Sequence, residues 1–400
     1  MNKQPIINIG CMGSVSDGKS SMVRTLSGTR TQRHSSEQNR NITIKQGYGN
    51  MKIWLHESDY ITTDSTTEID CNLVNHISFV DCPGHQELIQ TMLSSIKLMD
   101  GAIFVVAVDQ PLNKKPQLVQ HMAAAKLGKI DKIIICLNKI DLVEKKELLK
   151  RKEELDTMLR EYDIRPFTII PTSFNKRLGI NYLVEAIMKL FPPSNYLERT
   201  NDPPIFRISR TFDINKPGTN WDKVNGGVIG GSLVSGKLKV GDEIEIRPGQ
   251  VSKGKDGKFV CQPIKTKVLS IKTDTCDLDE IVPGGLIGIR TDLDPFYCKN
   301  DNLAGNVAGF NGNLPETVTE IKISTNIVNI FGMNWSPKLN DIVMLQFGTK
   351  IVEAKLVEIN KLLFKYQLSK PTCVFDDQHI IICRIVDKIL KIVAEGVVSN

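Results

Sequence analysis

No two of the nine cysteines in this 400-residue chain are spaced C-x-x-C, and their odd number is scattered from Cys11 to Cys383. That arrangement supports neither a disulfide framework nor a zinc ribbon, so a reducing compartment, the cytoplasm, is expected, and no zinc. No apolar run reaches membrane-spanning length, and the first strand-like run opens almost at once, at Ile6. Secretion and membrane insertion are therefore not expected. There is no basic tail. The excess of Lys and Arg over Asp and Glu, +6 in all, is spread as +3, +2 and +1 over residues 1–202, 203–312 and 313–400. Any nucleic-acid surface must be assembled by folding rather than carried on a charge run. Internal repeats and low-complexity tracts are missing as well.

What is present is a composition of 41% hydrophobic and 24% charged residues, ordinary for a globular protein, over a length that allows two or three cores. The organising stretch is Ile6 to Ser21. An apolar run, Ile6 to Ile9, leads into Gly13-Ser-Val-Ser-Asp-Gly18-Lys19-Ser20, and a helix-compatible segment follows. Strand, glycine loop and helix in that order are what a phosphate-binding loop requires. Gly13 and Gly18 would let backbone N–H groups turn inward at phosphate oxygens, and the helix start adds the positive end of a dipole. Lys19 would reach the β- and γ-phosphates, and the Ser20 hydroxyl would hold Mg²⁺. Gly13, Ser16, Asp17, Gly18, Lys19, Ser20 and Ser21 form the expected phosphate-binding set.

Residues 27–50 read as a long polar loop. Within it, Thr43 could close over Mg²⁺ and the γ-phosphate, or could simply start a strand. The strand-like run His76 to Val80 ends in Asp81-Cys-Pro-Gly84-His85. An acid at the carboxyl end of a strand is placed for a second Mg²⁺ contact, which makes Ser20, Thr43 and Asp81 the metal set. Gly84 could offer its N–H to the γ-phosphate. His85 could orient the attacking water, or stand as a surface histidine at a helix start.

The apolar strand Lys132 to Leu137 runs into Asn138-Lys139-Ile140-Asp141. A carboxylate at Asp141 can accept from N1 and the 2-amino group of guanine, donors that adenine does not present; a helix-capping role is the alternative. The Asn138 amide would face the other base edge and tie loops together, and the Lys139 stem could lie over the ring. After the strand Thr168 to Pro171, Ser173 would give a backbone contact to guanine O6, with Phe174 beside it. Alternation of strands with helices over 87–98, 116–127, 144–162 and 180–190 predicts a doubly wound, mostly parallel sheet with these motifs at the strands' carboxyl ends.

From Pro203 onward helical periodicity gives way to period-two alternation, which predicts two all-β barrels, 203–312 and 313–400, after a GTP-binding domain at 1–202. Leu238-Lys-Val240 and Ile244-Glu-Ile246 around Gly241-Asp242 read as a hairpin. Gly226-Gly227 and Gly230-Gly231 read as tight bends. Lys253, Lys255 and Lys258 read as solvated, and neither barrel carries a catalytic cluster.

This plan is that of translational GTPases of the elongation factor Tu type. The segments GGVIGGSLVSGKLKVGDEIEIRPGQVSK (226–253), PGGLIGIRTDLDP (283–295) and NLAGNVAGFNGNLPE (302–316) resemble the gamma subunits of eukaryotic and archaeal translation initiation factor 2. The resemblance implies a GTPase that uses GTP or GDP and Mg²⁺ and carries initiator methionyl-tRNA to the small ribosomal subunit. It further implies alpha and beta subunits as partners and GTPase-activating and nucleotide-exchange factors. No arginine finger can be placed in the sequence, so slow intrinsic hydrolysis is expected, and without a long apolar run no membrane partner is expected. An elongation-type or selenocysteyl-tRNA carrier, or a degenerate nucleotide-binding subunit, are the alternatives. The chain departs from the family's pattern at Ser14 and Asp17, where histidines are usual, at Asn41 in the first switch, and at Phe174. By the same resemblance it is expected to lack the zinc knuckle that many members carry, of which Cys71 would be the remnant, and the usual eukaryotic amino-terminal extension. Asp17 is expected to add repulsion beside the phosphates.

Overall fold

Strand β1 (Ile7–Met12) is buried along its whole length and occupies the middle of a seven-stranded sheet. In the computed structural model, residues 4–29, 47–62, 71–83, 89–193, 198–255, 257–273, 276–328 and 335–399 are described. Both faces of β1 are covered, which is why it is apolar without alternation. It pairs in parallel with β4 (Asn72–Asp81) on one side and β5 (Gly101–Ala107) on the other. Beyond β5 follow β6 (Ile133–Asn138) and β7 (Thr168–Pro171), also parallel. At the opposite edge β2 (Gly47–His56) and β3 (Asp59–Thr62) run antiparallel, so the sheet is mixed, with the order β3-β2-β4-β1-β5-β6-β7. Residues 47–50, expected in the polar loop, belong to β2; Gly47 pairs with Asp81.

The register decides where the motifs meet. Cys11 lies beside Asp81, and Ala107 beside Asn138. The carboxyl ends of β1, β4, β5, β6 and β7 therefore lie along one edge of the sheet, the edge where α/β proteins bind ligands. The helices are α1 (Lys19–Ser27), α2 (Ile89–Ile96), α3 (Pro116–Leu127), α4 (Lys145–Glu161) and α5 (Ile180–Leu190). The charged α4 buries only Arg151, Leu155 and Leu159, a single stripe at four-residue spacing. Among the described residues no helix is long and apolar enough to cross a membrane.

The chain divides into two compact units, 1–196 and 197–400. The second holds two β-barrels. In the first barrel the strands β8 (Ile205–Phe212), β9 (Val228–Ser235), β11 (Glu243–Lys253), β12 (Phe259–Thr273), β15 (Gly284–Thr291) and β16 (Val307–Gly309) form a ring that β11–β12 pairing closes. Phe206, Ile208, Ile229, Leu233 and Ile289 fill it. The short strands β10 (Leu238–Lys239), β13 (Cys276–Leu278) and β14 (Glu280–Ile281) flank that ring. The second barrel comprises β17 (Thr317–Ile327), β18 (Ile342–Phe347), β19 (Lys350–Asn360), β20 (Leu363–Cys373), β21 (His379–Val386) and β22 (Ile389–Ser399). Along β19, Val352, Ala354 and Leu356 face inward while Glu353 and Lys355 face water, the period of two that the alternation predicts.

Two expectations fail in the first barrel. Leu238–Lys239 does not form a hairpin with the strand after Gly241-Asp242; it pairs with Glu280–Ile281. The turn itself forms, with Asp242 accepting from Lys239 N at 2.8 Å, but Gly241 N donates to Val268 O and leads the chain into a different sheet. Gly230 and Gly231 make no bend. They lie inside β9, where a Cβ on Gly231 would stand 1.9 Å from the Arg207 carbonyl of β8, so close strand approach explains the missing side chain.

Candidate functional site

The loop between β1 and α1 carries backbone that only glycine adopts easily. Gly13 has φ 141° and Gly18 φ 105°, and Ser16 between them sits at φ 63°. A Cβ at Gly13 would be 2.2 Å from the Val105 carbonyl of β5, and one at Gly18 2.3 Å from the Asn138 amide. Lys19 opens α1, and its ammonium group donates to the carbonyls of Gly13 (3.0 Å) and Ser14 (2.7 Å), arching under the loop. Burial lowers the Lys19 pKa, while the nearby Asp81 and Asp17 carboxylates work against that shift. Ser16 and Ser21 are exposed.

Two loop residues point differently from expectation. The Gly13 N–H donates to Nδ1 of His121 on α3 at 3.2 Å rather than facing a phosphate. Burial, with Lys19 as second cause, pushes the His121 pKa down to about 3, so the imidazole is neutral and Nδ1 is an acceptor. The Asp17 carboxylate turns into the protein. It accepts from Ser14 N (2.9 Å) and from the Lys115 ammonium (2.5 Å), which also donates to the Ala107 carbonyl (2.8 Å). The expected repulsion from Asp17 is thus opposed by a buried cation 98 residues away in sequence. Lys115 and His121 have no local motif to announce them; only the packing of α3 against the loop finds them.

Ser20 and Asp81, predicted to share a metal, are in contact: the Ser20 hydroxyl donates to the Asp81 carboxylate at 2.8 Å. A hydroxyl and one carboxylate are hard oxygen donors, the sparse protein set that suits Mg²⁺ completed by phosphate oxygens and water. Among the described residues no group of three or more His, Cys, Asp or Glu could hold a metal. When bound, Mg²⁺ would neutralise phosphate charge, with Ser20 and Asp81 holding it. All nine cysteines are unpaired; burial pushes the Cys82 thiol, next to Asp81, up to about 12. Thr43, Gly84 and His85, and Asn41 with them, lie outside the described residues.

The base-pocket motif converges on the same edge. Asn138 ends β6, donates to the Asp17 carbonyl (2.8 Å) and accepts from Phe174 N (3.2 Å), so it ties the phosphate loop to the loop after β7. Lys139 adopts φ 67° and pairs with Asp109, beyond the end of β5, at 2.7 Å. Asp141 lies exposed in the turn Ile140–Leu142. The Ser173 N–H does not face the pocket as expected; it donates to the Leu178 carbonyl at 3.1 Å, closing a small bridge between those residues. Phe174 is buried beside Gly18, and its carbonyl accepts from Thr25 of α1.

Comparison with known proteins agrees with this geometry. Residues 4–193 match the elongation factor Tu GTP binding domain, 226–298 elongation factor Tu domain 2, and 321–398 the C-terminal domain of initiation factor eIF2 gamma. The eukaryotic translation initiation factor 2 subunit gamma of Encephalitozoon cuniculi is 34% identical, covering 100% of this chain and 94% of that protein. The eukaryotic translation initiation factor 2 subunit 3 of Drosophila melanogaster is 35% identical over 99% of this chain and 89% of its own length. The translation initiation factor 2 subunit gamma of Archaeoglobus fulgidus is 36% identical over 98% and 94%. Among solved structures, a bacterial selenocysteine-specific elongation factor superposes with a TM-score of 0.75 at 20% identity, over 99% of this chain and 58% of that longer one. Elongation factor SelB of Methanococcus maripaludis, in complex with the GTP analogue GppNHp, gives 0.75 at 21% identity over 100% and 80%. At that identity the structures speak for the fold alone. Full-length identity above 30%, the guanine-nucleotide motifs on one sheet edge and the two closed barrels together place this chain in the gamma-subunit family of translation initiation factor 2, whose members are GTP-hydrolysing translation factors.

Proposed function

We propose that this chain binds initiator methionyl-tRNA in its GTP state and delivers it to the small ribosomal subunit, with GTP hydrolysis triggering release. The observation that carries this reading is identity to initiation-factor gamma subunits over essentially the whole chain, barrels included, rather than over the nucleotide domain alone. The chain works as the GTP-binding subunit beside alpha and beta subunits in the cytoplasm, and activating and nucleotide-exchange factors set its cycle. Residues 1–202 form the nucleotide domain, and 203–312 and 313–400 the two barrels.

Within the site, N–H groups of the loop from Ser16 to Ser21 and the Lys19 ammonium receive the phosphates. Asp141 reads the guanine edge, and Ser20, Thr43 and Asp81 hold Mg²⁺. Gly84 and His85 act on the γ-phosphate side. Such a site positions and stabilises phosphoryl transfer, and an arginine supplied by a partner adds about 10³–10⁵ in rate, so intrinsic hydrolysis is slow.

The test is binding of methionyl initiator tRNA against elongator methionyl-tRNA, with GTP and then GDP, using the chain and the reconstituted trimer. Preference for the initiator that depends on GTP is the expected result. Equal binding of both tRNAs points to an elongation-type carrier. Failure of the trimer to bind either tRNA, with GTP bound, overturns the reading.

A further inference from the structure

The geometry points to Lys115 as a positioning residue for nucleotide binding: it holds the Asp17 carboxylate away from Lys19 and from the phosphates. This inference rests on the guanine-nucleotide reading of the loop. Asp17 and Lys115 are 2% and 5% exposed, so neither charge is relieved by water. Asp17 stands at a junction of three segments. Its carboxylate accepts from Ser14 N within the loop and from Lys115 on the connection ahead of α3, while its carbonyl accepts from Asn138 of β6. Lys115 is itself fixed, by donation to the Ala107 carbonyl at the end of β5.

A buried carboxylate with its cation removed is left uncompensated, a charge that is relieved by reaching another cation or water or by taking up a proton. For Asp17 that next cation is Lys19, which already lies within its electrostatic reach. Lys19 is the group that meets the β- and γ-phosphates. An unpaired Asp17 would therefore compete with phosphate for Lys19 and would bring a negative charge toward the nucleotide. Paired with Lys115, it instead braces the loop through Ser14. The chain can carry an acid inside its phosphate loop because a cation from α3's leading edge matches it.

The test uses equilibrium binding of GTP and GDP to the full chain, with thermal unfolding as a fold control. Lys115→Met is expected to weaken GTP binding at least tenfold, and GDP binding less, because repulsion grows with phosphate charge. Lys115→Arg is expected to bind within about threefold of the parent. The double variant D17N/K115M keeps an acceptor for Ser14 N and carries neither charge; it is expected to recover most of the lost affinity. A packing role alone would weaken GTP and GDP equally and would not be rescued by the second substitution. Parent-like binding by Lys115→Met, or a double variant as weak as the single one, overturns the inference. If the parent binds neither nucleotide, the nucleotide reading falls first and is seen to do so in the same experiment.

Discussion

The Ser20 hydroxyl and the Asp81 carboxylate meet at 2.8 Å although 61 residues separate them. The contact follows from the parallel pairing of β1 and β4, whose register sets Cys11 against Asp81 and so brings the end of β4 beneath the start of α1. Asp81→Ala is expected to remove the Mg²⁺-dependent part of GTP affinity, by about tenfold or more, while leaving affinity in chelator nearly unchanged. Titration of GTP with and without Mg²⁺ checks this; an unchanged Mg²⁺ response would separate Asp81 from the metal.

Asn138 satisfies two buried groups at once, the Asp17 carbonyl and the Phe174 N–H. Asn138→Ala leaves both without their partner in a closed space. The expected destabilisation of the nucleotide domain is about 2–4 kcal/mol, the sum of two such losses at ~1–2 kcal/mol each. Denaturant unfolding without nucleotide reads it directly. A change below about 0.5 kcal/mol would mean that neither bond holds the loops together.

His121 makes stability depend on pH. The unfolded chain protonates this side chain below about pH 6.5, whereas the folded chain resists until about pH 3. Its contribution is therefore complete above pH 6.5 and is lost as pH falls, by about 2 kcal/mol between pH 6.5 and 5. His121→Asn retains an acceptor for the Gly13 N–H and does not titrate. The variant's unfolding free energy should fall less than the parent's between pH 7 and 5, by roughly that amount. Parallel curves would show that His121 titrates alike in the folded and the unfolded chain.

Much of the architecture was legible in the chain because the signals are local. Thr168–Pro171 and Ile180–Leu190 appear where periodicity places them, and the alternation along 350–360 becomes β19. The glycine loop could be read because left-handed backbone at Gly18 demands glycine whatever surrounds it. The failures lie where distant segments decide. Leu238–Lys239 and the strand from Glu243 look like a hairpin at the turn, yet the first pairs with Glu280–Ile281 and the second with β12 and β16.

Fold class, nucleotide chemistry and family thus follow from residue order, because tight turns, strand alternation and phosphate loops are encoded within a few neighbouring positions. The orientation of Asp17, the neutral His121 beneath Gly13 and the meeting of Ser20 with Asp81 do not. Their partners lie 98, 108 and 61 residues away. Which buried charge finds which counter-charge depends on strand register and helix packing, and those are set by the burial of the whole sheet.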